Sequence, residues 1–292
     1  MIRETEHNNM QPLVSVLMTS YNREKYIGAA IESVMQSTYQ NWELIITDDG
    51  SKDSTVDIAR SYAAKDDRIK VFINEKNLGD YPNRNKAASH ASGKYLKYVD
   101  ADDYIYPTGL QVLVSMMEAN PEAGWGLCSL IQVVEQPYPV LLQPREAYLH
   151  NFFGPGLFHK APLSSIIRKD VFDKVGGFKP LRMVGDFEMW HRLALDFPVL
   201  LMPDGVVWYR EHGEQEVKDK RKFIEQYEQI RLEYLTNGKC PLNPNEIKSI
   251  ITSQRKSLFR EFAISLIKLR TNNAKDAYTL MKMYSPFTNE QA

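Results

Sequence analysis

Two carboxylates two residues apart, Asp100 and Asp102, directly follow the apolar run 95–99. Carboxylate oxygens suit Mn²⁺ and Mg²⁺, ions that proteins hold with few groups of their own plus substrate phosphate oxygens. A divalent cation held here can bridge a diphosphate and stabilise the charge of a phosphate leaving group. A lone Asp-x-Asp also occurs on solvated turns. Its position after a strand, about fifty residues beyond a second acidic strand end, is what favours a metal site.

That second acidic cluster is Asp48-Asp49-Gly50-Ser51. A carboxylate at this point can accept the imide hydrogen of a pyrimidine base or bind a ribose hydroxyl. Gly50 allows close approach of a ligand, and Ser51 or Asp53 can cap the following helix. The alternative is an ordinary Asp-Gly turn with a helix cap. A third cluster, residues 19–22, offers Thr19 for hydrogen bonding and Tyr21 for stacking on a base.

Short apolar runs alternate with amphipathic stretches over residues 13–99, and they predict the elements that position these clusters. The predicted strands are 13–18, 43–47, 69–73 and 95–99, and the predicted helices are 26–36, 54–64 and 82–91. Such alternation indicates parallel strands joined by crossover helices. Parallel sheets bind ligands outside the carboxyl ends of their strands, where all three clusters lie.

The pattern is less regular after residue 104. It predicts helices at 108–118, 169–175 and 185–195, and strands at 126–134, 164–168 and 206–209. Residues 136–162 are rich in Pro, Gly and aromatic residues, which indicates a long, partly ordered loop. From about residue 218 the spacing predicts only helices, with one apolar stripe at 223, 227, 230 and 234 and another at 258, 262, 266 and 269.

Composition limits the classes of protein. The chain has 292 residues, is 43% hydrophobic and carries a formal net charge of −1, which excludes a disordered chain and gives no global attraction to nucleic acid. Cys128 and Cys240 stand far apart and make neither a disulfide framework nor a zinc motif. The polar start of the chain is unlike a signal peptide, and no apolar run is long enough to span a bilayer. We therefore expect a cytoplasmic protein.

Together these motifs resemble family 2 glycosyltransferases from about Val14 to His212. The segments that carry the resemblance are 14–22, 48–55, Asn77-Leu-Gly79, 100–103 and Gly185-Asp-Phe-Glu188, in the order and at the spacing of the family. The resemblance implies a GT-A fold, an α/β Rossmann-like mixed, mostly parallel sheet flanked by helices with a C-terminal helical appendage. Residues 1–217 would form the catalytic domain, with the acceptor side in 104–217, and residues 218–292 the helical region.

The resemblance also implies an activity. It is the inverting transfer of a hexose from a nucleoside diphosphate sugar, UDP-linked by family habit, to an acceptor hydroxyl, with Mn²⁺ or Mg²⁺ as cofactor. The implied acceptor is a saccharide or lipid-linked saccharide in cell-envelope polysaccharide or glycolipid synthesis. No nucleic acid partner is expected, and a homo-oligomer is left open.

Residue roles follow from the same resemblance. Asp49 reads the donor base, Asp102 is the principal metal ligand, and Asp100 assists it through ribose or water. His212, in Tyr209-Arg-Glu-His212, completes the metal shell or bonds the diphosphate. The implied nucleotide-binding residues are Thr19, Tyr21, Asp48, Asp49, Arg84, Asp100 and Ala101, and the implied metal ligands are Asp102, Asp100 and His212.

Asp186 falls where the family keeps its general base. Inverting transfer needs a carboxylate that takes the proton of the acceptor hydroxyl, apart from the metal group. The family motif is often Glu-Asp, whereas this chain has Gly185-Asp186, so Glu188 is the alternative base. Asp186 could also be an ordinary carboxylate favoured at a helix N-terminus. His159 is a further candidate on the acceptor side.

Three alternative functions fit these residues less well. A nucleotidyltransferase would carry a glycine-rich basic loop after the first strand, and this chain has no glycine before Gly28. A dinucleotide oxidoreductase would need GxGxxG there. A non-catalytic carbohydrate-binding protein would not need the acidic clusters and Asp186. Residues 255–282 carry seven Lys/Arg against two acids, which indicates a solvated basic face or contact with anionic lipid through the C-terminal helices.

Overall fold

The computed structural model describes residues 11–130, 137–213, 222–268 and 271–286. The described residues group into two compact units. One unit draws on 1–141, 160–182 and 198–212, and the other draws on 142–159, 183–197 and 213–292. The expected domain boundary at residue 217 lies outside the described residues, and the division there stays a prediction.

The described strands form an eight-stranded sheet and a short two-stranded ribbon. The strands are β1 Val14–Ser20, β2 Trp42–Asp48, β3 Ile69–Ile73, β4 Tyr95–Tyr98, β5 Tyr104–Ile105, β6 Trp125–Leu130, β7 Val140–Leu142, β8 Ser165–Arg168, β9 Val199–Pro203 and β10 Val207–Trp208. The large sheet has the order β3-β2-β1-β4-β8-β6-β9-β7. Strands β1 to β4 pair in parallel, as do β6 and β9, whereas β8 runs antiparallel to β4 and β6. The expected mixed, mostly parallel sheet is confirmed.

The described α-helices alternate with the strands through the first unit and make up most of the second. They are α1 Ile27–Met35, α2 Thr55–Ala63, α3 Asp80–Ser89, α4 Gly109–Ala119, α5 Pro144–Phe153, α6 Lys169–Lys174, α7 Gly185–Asp196, α8 Ile224–Thr236, α9 Pro244–Ile267 and α10 Thr271–Tyr284. No described helix combines the length and the hydropathy of a membrane span.

Strand β1 lies at the centre of the parallel part of the sheet, and its sequence explains why. Apart from half-buried Thr19, its residues are buried on both faces, which is typical of a central parallel strand. Ile27, Ile31 and Val34 recur at helical spacing on α1 and are buried in the same core as β1. Ser20 at the end of β1 lies opposite Asp48 at the end of β2. The carboxyl ends of these strands therefore meet at one edge of the sheet.

Helix α3 begins two residues earlier than the expected start at Pro82. Gly79 adopts φ 85°, a left-handed conformation that favours glycine, and it ends the preceding turn directly before Asp80. Pro82 is then the third residue of the helix, where its missing N–H costs no helical hydrogen bond. Pro82 therefore lies within the first turn of α3 and does not mark the start of the helix.

The expected loop over residues 136–162 is wrong for half of the described part of that segment, which contains β7 and α5. Pro144 occupies the first turn of α5, and the Gln143 N–H donates to Glu146 Oε2 at 2.8 Å. These are helix-start signals that the Pro and Gly content obscured. Ala147 and Tyr148 are buried, so tertiary packing fixes the helix.

The second expected stripe of the C-terminal helices is wrong at Leu266, which is 53% exposed. The buried side chains of α9 include Ile251 and Leu258, which pack in one cluster with Leu280 and Tyr284 of α10. Position 269 lies outside the described residues. The packed face of α9 is therefore rotated away from the stripe that spacing alone indicated.

Candidate active site

Asp48 shapes the turn at the end of β2. Its carboxylate accepts hydrogen bonds from the Ser20 and Ser51 hydroxyls at 2.8 and 2.5 Å, and from the Gly50 and Ser51 N–H groups at 3.1 and 2.7 Å. Four donors fill the acceptor capacity of one carboxylate. Of the two expected helix caps, Ser51 instead donates its hydroxyl to Asp48. Asp53 is the residue that reaches α2, because its Oδ1 accepts from the N–H of Thr55 at the start of the helix.

Asp49 is buried and tied to the segment that precedes α3. Its Oδ1 accepts from Asn74 Nδ2 and the Leu78 N–H, and its Oδ2 accepts from the Gly79 N–H, all at 2.8 Å. These three donors leave about one acceptor position on Oδ2. The acidic cluster after β2 and the Asn77-Leu-Gly79 motif are thus parts of one structure.

Asp100 is held by Arg84 of α3. The guanidinium donates to both carboxylate oxygens, at 2.6 and 2.7 Å, and the Thr19 hydroxyl donates to Asp100 Oδ1 at 3.1 Å. Burial alone would lower the pKa of Arg84, but the charges of Asp100 and then Asp80 raise it well above its ordinary value. The bidentate pair fixes the Asp100 side chain beside the end of β1.

The Asp102 carboxylate contacts the side chains of an arginine and a histidine. Its Oδ2 accepts from Arg23 Nε at 2.8 Å and lies 3.0 Å from His212 Nε2. The His212 ring stacks on Tyr26, with ring centroids 4.5 Å apart. Ala101, between the two carboxylates, is buried and its N–H donates to the Thr19 carbonyl. The structure therefore brings Thr19, Asp100, Asp102 and His212 together.

Asp103 is a buried carboxyl group that the sequence interpretation gave no role. Burial and then the charge of Asp100 raise the pKa of Asp103 to about 8. Its Oδ1 accepts from the Arg210 N–H at 3.1 Å, and Arg210 Nε donates to the Asp102 carbonyl at 2.9 Å. These bonds fasten the segment that carries His212 to the end of β4.

The donor set around Asp102 fits a divalent cation. Carboxylate oxygens and an imidazole nitrogen suit Mn²⁺, and Asp102 Oδ2 and His212 Nε2 already converge. Across the described part of the chain, no group of three or more His, Cys, Asp or Glu side chains is arranged to hold a metal alone. The protein ligands would thus need phosphate or water oxygens to complete the coordination.

Tyr21 is the exposed member of the first cluster. Its side chain is 45% exposed, directly after β1, and Asn22 beyond it adopts φ 52°. The Asn22 N–H donates to Ser51 Oγ at 2.8 Å, which ties the β1 turn to the β2 turn. An aromatic ring at such an edge is available for stacking.

Asp186 belongs to the second unit, as the second residue of α7. It is half-buried, and burial followed by the charge of Asp186 raises the pKa of Tyr227 to about 12. The Tyr227 hydroxyl donates to the Met183 carbonyl at 3.1 Å. The His159 ring stacks on Phe187, with centroids 4.6 Å apart. Asp186, Tyr227 and His159 thus form one neighbourhood around the start of α7.

Glu188 does not suit the role of alternative base. It is 1% exposed, and its carboxylate accepts from Arg192 at 3.1 and 2.9 Å and from the Tyr234 hydroxyl at 2.5 Å. A carboxylate buried with these donors stabilises the packing of α7 against α8. The chain therefore uses Glu188 as a structural group.

The family model for "Glycosyl transferase family 2" matches residues 15–176. This match spans more than half of the chain and includes most of β1, both acidic clusters and α3. The chain belongs to glycosyltransferase family 2. The expectation drawn from the sequence motifs is confirmed at the level of the family.

One relative of this glycosyltransferase is named for its activity. It is the Escherichia coli UDP-Glc:alpha-D-GlcNAc-diphosphoundecaprenol beta-1,3-glucosyltransferase WfgD, which is 42% identical over 108 residues. The match covers 37% of this chain and 42% of that protein. The similarity is thus confined to about two-fifths of the relative's length.

Two solved structures share the fold of this glycosyltransferase. Staphylococcus aureus TarS 1-349 in complex with UDP-GlcNAc gives a TM-score of 0.60 at 19% identity, over 95% of this chain and 93% of that one. The Pyrobaculum calidifontis mannosyltransferase PcManGT in complex with GDP-Man and Mn²⁺ gives 0.60 at 14% identity, over 96% and 88%. These similarities support the GT-A-like architecture.

Sequence reasoning missed three site residues of this glycosyltransferase: Arg23, Asp103 and Arg210. Asp103 ends the 100–103 acidic run and Arg210 is part of the 209–212 motif, so the sequence motifs already contained both residues. Arg23 follows the 19–22 cluster directly, but its partner Asp102 lies 79 residues away in the chain.

Proposed function

We propose that this family 2 glycosyltransferase transfers a hexosyl group, with inversion, from a UDP-sugar to an acceptor hydroxyl in cell-envelope polysaccharide or glycolipid synthesis. The observation that carries the proposal is the convergence of the β1, β2 and β4 ends. Thr19 links β1 to Asp100, and Ser20 links β1 to Asp48. Acidic groups from separate strands surround one edge of the sheet, where α/β proteins bind nucleotides.

On the donor side, the remaining acceptor position of Asp49 Oδ2 would accept the imide N–H of uracil. Tyr21 would stack on the base, and Thr19 with Asp48 would line the same pocket. Asp48 would act by holding the turn, because its oxygens already accept four protein donors. The UDP-sugar named for the relative WfgD supports uridine as the base.

On the phosphate side, Asp102, Asp100 and His212 would hold Mn²⁺ or Mg²⁺, and Arg84 with Ala101 would complete the nucleotide site. The cation would stabilise the negative charge of the leaving diphosphate. The Mn²⁺ named with the mannosyltransferase PcManGT supports this cofactor. Arg84 would contribute by orienting Asp100, to which it is bonded twice.

On the acceptor side, Asp186 would be the general base. An inverting displacement needs a carboxylate that accepts the proton of the attacking hydroxyl. Asp186 lies at the start of α7 and is half-buried, which keeps it accessible to a substrate, whereas Glu188 is enclosed. His159 and Tyr227, in the same neighbourhood, would contact the acceptor.

The test of this function is UDP binding and sugar transfer with and without Mn²⁺. Asp102→Ala should lose manganese-dependent UDP binding and donor hydrolysis, because the principal ligand is removed. Asp57→Ala, which removes an exposed carboxylate on α2, is the matched control and should behave as the wild type. Full activity of Asp102→Ala, or of the wild type in excess chelator, would refute the metal assignment.

We also propose that α9 contacts anionic lipid at the inner face of the membrane. Phe259, Leu266 and Ile267 are 56%, 53% and 82% exposed. At about 100° per residue they share an arc of about 120° with the exposed Lys256 and Arg260. An apolar strip beside cations is the pattern of a helix lying in a lipid interface. The diphosphoundecaprenol in the name of WfgD supports a lipid-linked acceptor.

Vesicle co-sedimentation tests this contact. The chain should bind vesicles that contain phosphatidylglycerol, and Phe259→Ser with Ile267→Ser should abolish binding without changing UDP affinity. Ile73→Ser, at an apolar side chain 44% exposed on β3, is the matched control. Equal binding to neutral phosphatidylcholine vesicles, or no effect of the double substitution, would refute the proposal.

A further inference from the structure

Arg23 occupies the oxygen of Asp102 that faces His212. Its Nε donates to Asp102 Oδ2 at 2.8 Å, the same atom that lies 3.0 Å from His212 Nε2. The Arg23 and Asp102 side chains are 21% and 15% exposed, so the pair is shielded without being enclosed. A guanidinium and a divalent cation repel each other, so a guanidinium bound to one carboxylate oxygen opposes the approach of the cation to the same oxygen.

Beyond its bond to Asp102, the Arg23 side chain makes long hydrogen bonds, whereas its backbone is held by a short one. Its N–H donates to Thr55 Oγ1 at 2.7 Å, which fixes the backbone. Its Nη1 reaches the Tyr21 and Asn22 carbonyls at 3.2 Å, distances at the long end for a hydrogen bond. The guanidinium can therefore leave Asp102 by side-chain rotation while the β1 turn stays in place.

Arg84 provides the contrast within the same site. It makes two short bonds to Asp100 and a third to Asp80 at 3.2 Å, and its side chain is 9% exposed. Arg23 makes one bond to its carboxylate and is more exposed. Of these two arginines, Arg84 is a fixed part of the site and Arg23 is the exchangeable one.

We propose that Arg23 is the counter-ion of Asp102 in the nucleotide-free enzyme and moves to the diphosphate when cation and nucleotide bind. This inference rests on the proposed role of Asp102 as a metal ligand. Without nucleotide, Arg23 competes with the cation for Asp102. The diphosphate offers Arg23 another anion, so nucleotide binding relieves the competition and raises the affinity for the cation. Arg23 thus couples the two binding events, and the coupling is reciprocal.

Manganese binding to the full chain, followed by electron paramagnetic resonance with and without UDP, tests the proposal. Arg23→Gln should bind Mn²⁺ alone about tenfold more tightly than the wild type, the effect of losing one charge-assisted hydrogen bond that competes with the ion. The increase in Mn²⁺ affinity caused by UDP should shrink by about tenfold. Arg60→Gln, on the exposed face of α2, removes the same charge as a matched control and should leave both quantities unchanged.

The outcomes separate the two proposals. Unchanged or weaker Mn²⁺ binding by folded Arg23→Gln, with the UDP effect intact, would overturn the role of Arg23 while leaving the metal site standing. Absence of manganese-linked UDP binding in the wild type would refute the metal role of Asp102 and this inference with it. Arg23→Met, uncharged and of similar reach, replaces Arg23→Gln if thermal melting shows that the latter is unfolded.

Discussion

Asp49→Asn is the substitution that most directly tests how the enzyme selects a base. The carboxylate accepts from Asn74, Leu78 and Gly79, and its Oδ2 has about one position left. If the asparagine oxygen keeps the two donors at Oδ1, its NH₂ group replaces Oδ2 and faces both the Gly79 N–H and the ligand. A hydrogen bond to a charged acceptor contributes about 1.5–3 kcal/mol, so losing the one to an imide N–H predicts about 10-fold to 150-fold weaker UDP binding.

The same change should alter which nucleotide is preferred. Uracil presents an N–H at the position where cytosine presents an acceptor nitrogen, and the asparagine NH₂ group can donate to cytosine. We expect the ratio of UDP to CDP affinity to fall by about a hundredfold in Asp49→Asn. Titration calorimetry of both diphosphates, with Mn²⁺, gives the ratio for wild type and variant.

The ratio of UDP to CDP affinity is informative because local damage to the turn lowers both affinities and leaves their ratio unchanged. Loss of the bond to Gly79 weakens the segment before α3, which lowers the affinity for UDP and CDP together. If Asp49→Asn weakens both nucleotides equally, Asp49 is only a structural group and the base is read elsewhere. If UDP binding is unchanged, the proposed pocket is wrong.

Two further predictions concern the second unit. Asp186→Asn should keep UDP affinity while transfer falls by about 10²–10⁴-fold, because only the proton acceptor is removed; turnover at the wild-type rate in a transfer assay would assign the base to another residue. Burial lowers the pKa of His191 to about 3. Below about pH 6.5, this histidine therefore binds a proton in the unfolded chain but stays neutral in the folded chain. Stability should therefore fall by about 2 kcal/mol between about pH 8 and about pH 5 on this account. Urea unfolding of His191→Phe should lose that part of the pH dependence, and an unchanged slope would show that other groups cause the acid sensitivity.

His191→Phe is a suitable variant because the surroundings of this histidine are aromatic. Its ring packs within 4.3–6.2 Å, centroid to centroid, of Phe187, Phe158, Phe152, Tyr148 and Tyr234. Its Nε2 is buried without a hydrogen-bond partner among the described residues. A phenyl ring is close in size to an imidazole and removes this buried Nε2, together with the Nδ1 contact to the Phe187 carbonyl at 2.8 Å.

The donor half of the fold could be predicted from the sequence because its signals are local. Strand β1 reads as apolar residues on both faces, and Asp48 and Asp100 follow their strands directly. The rule that ligands bind at the carboxyl ends of parallel strands then places the clusters together without knowledge of any contact. The family resemblance and the local pattern agreed.

Other features depend on contacts that the sequence does not display. Arg23 meets Asp102 across 79 residues, and Glu188 meets the Tyr234 hydroxyl across 46. Trp208 is exposed because it lies in a two-residue strand, and the Arg210 guanidinium is 4.7 Å from its ring centroid. Trp125 and Trp190, in contrast, are buried in the core. Contacts between residues distant in the sequence determine the surroundings of each of these side chains.

The saturated carboxylate of Asp48 has a consequence for how nucleotides are recognised. Two hydroxyls and two amides already hold it, so the loop after β2 is ordered before any ligand arrives. A loop that is rigid in advance loses little conformational entropy on association, and more of the contact energy appears as affinity. In the proposed donor site, Asp48 would thus orient Asp49 toward the base by holding the loop that carries both residues.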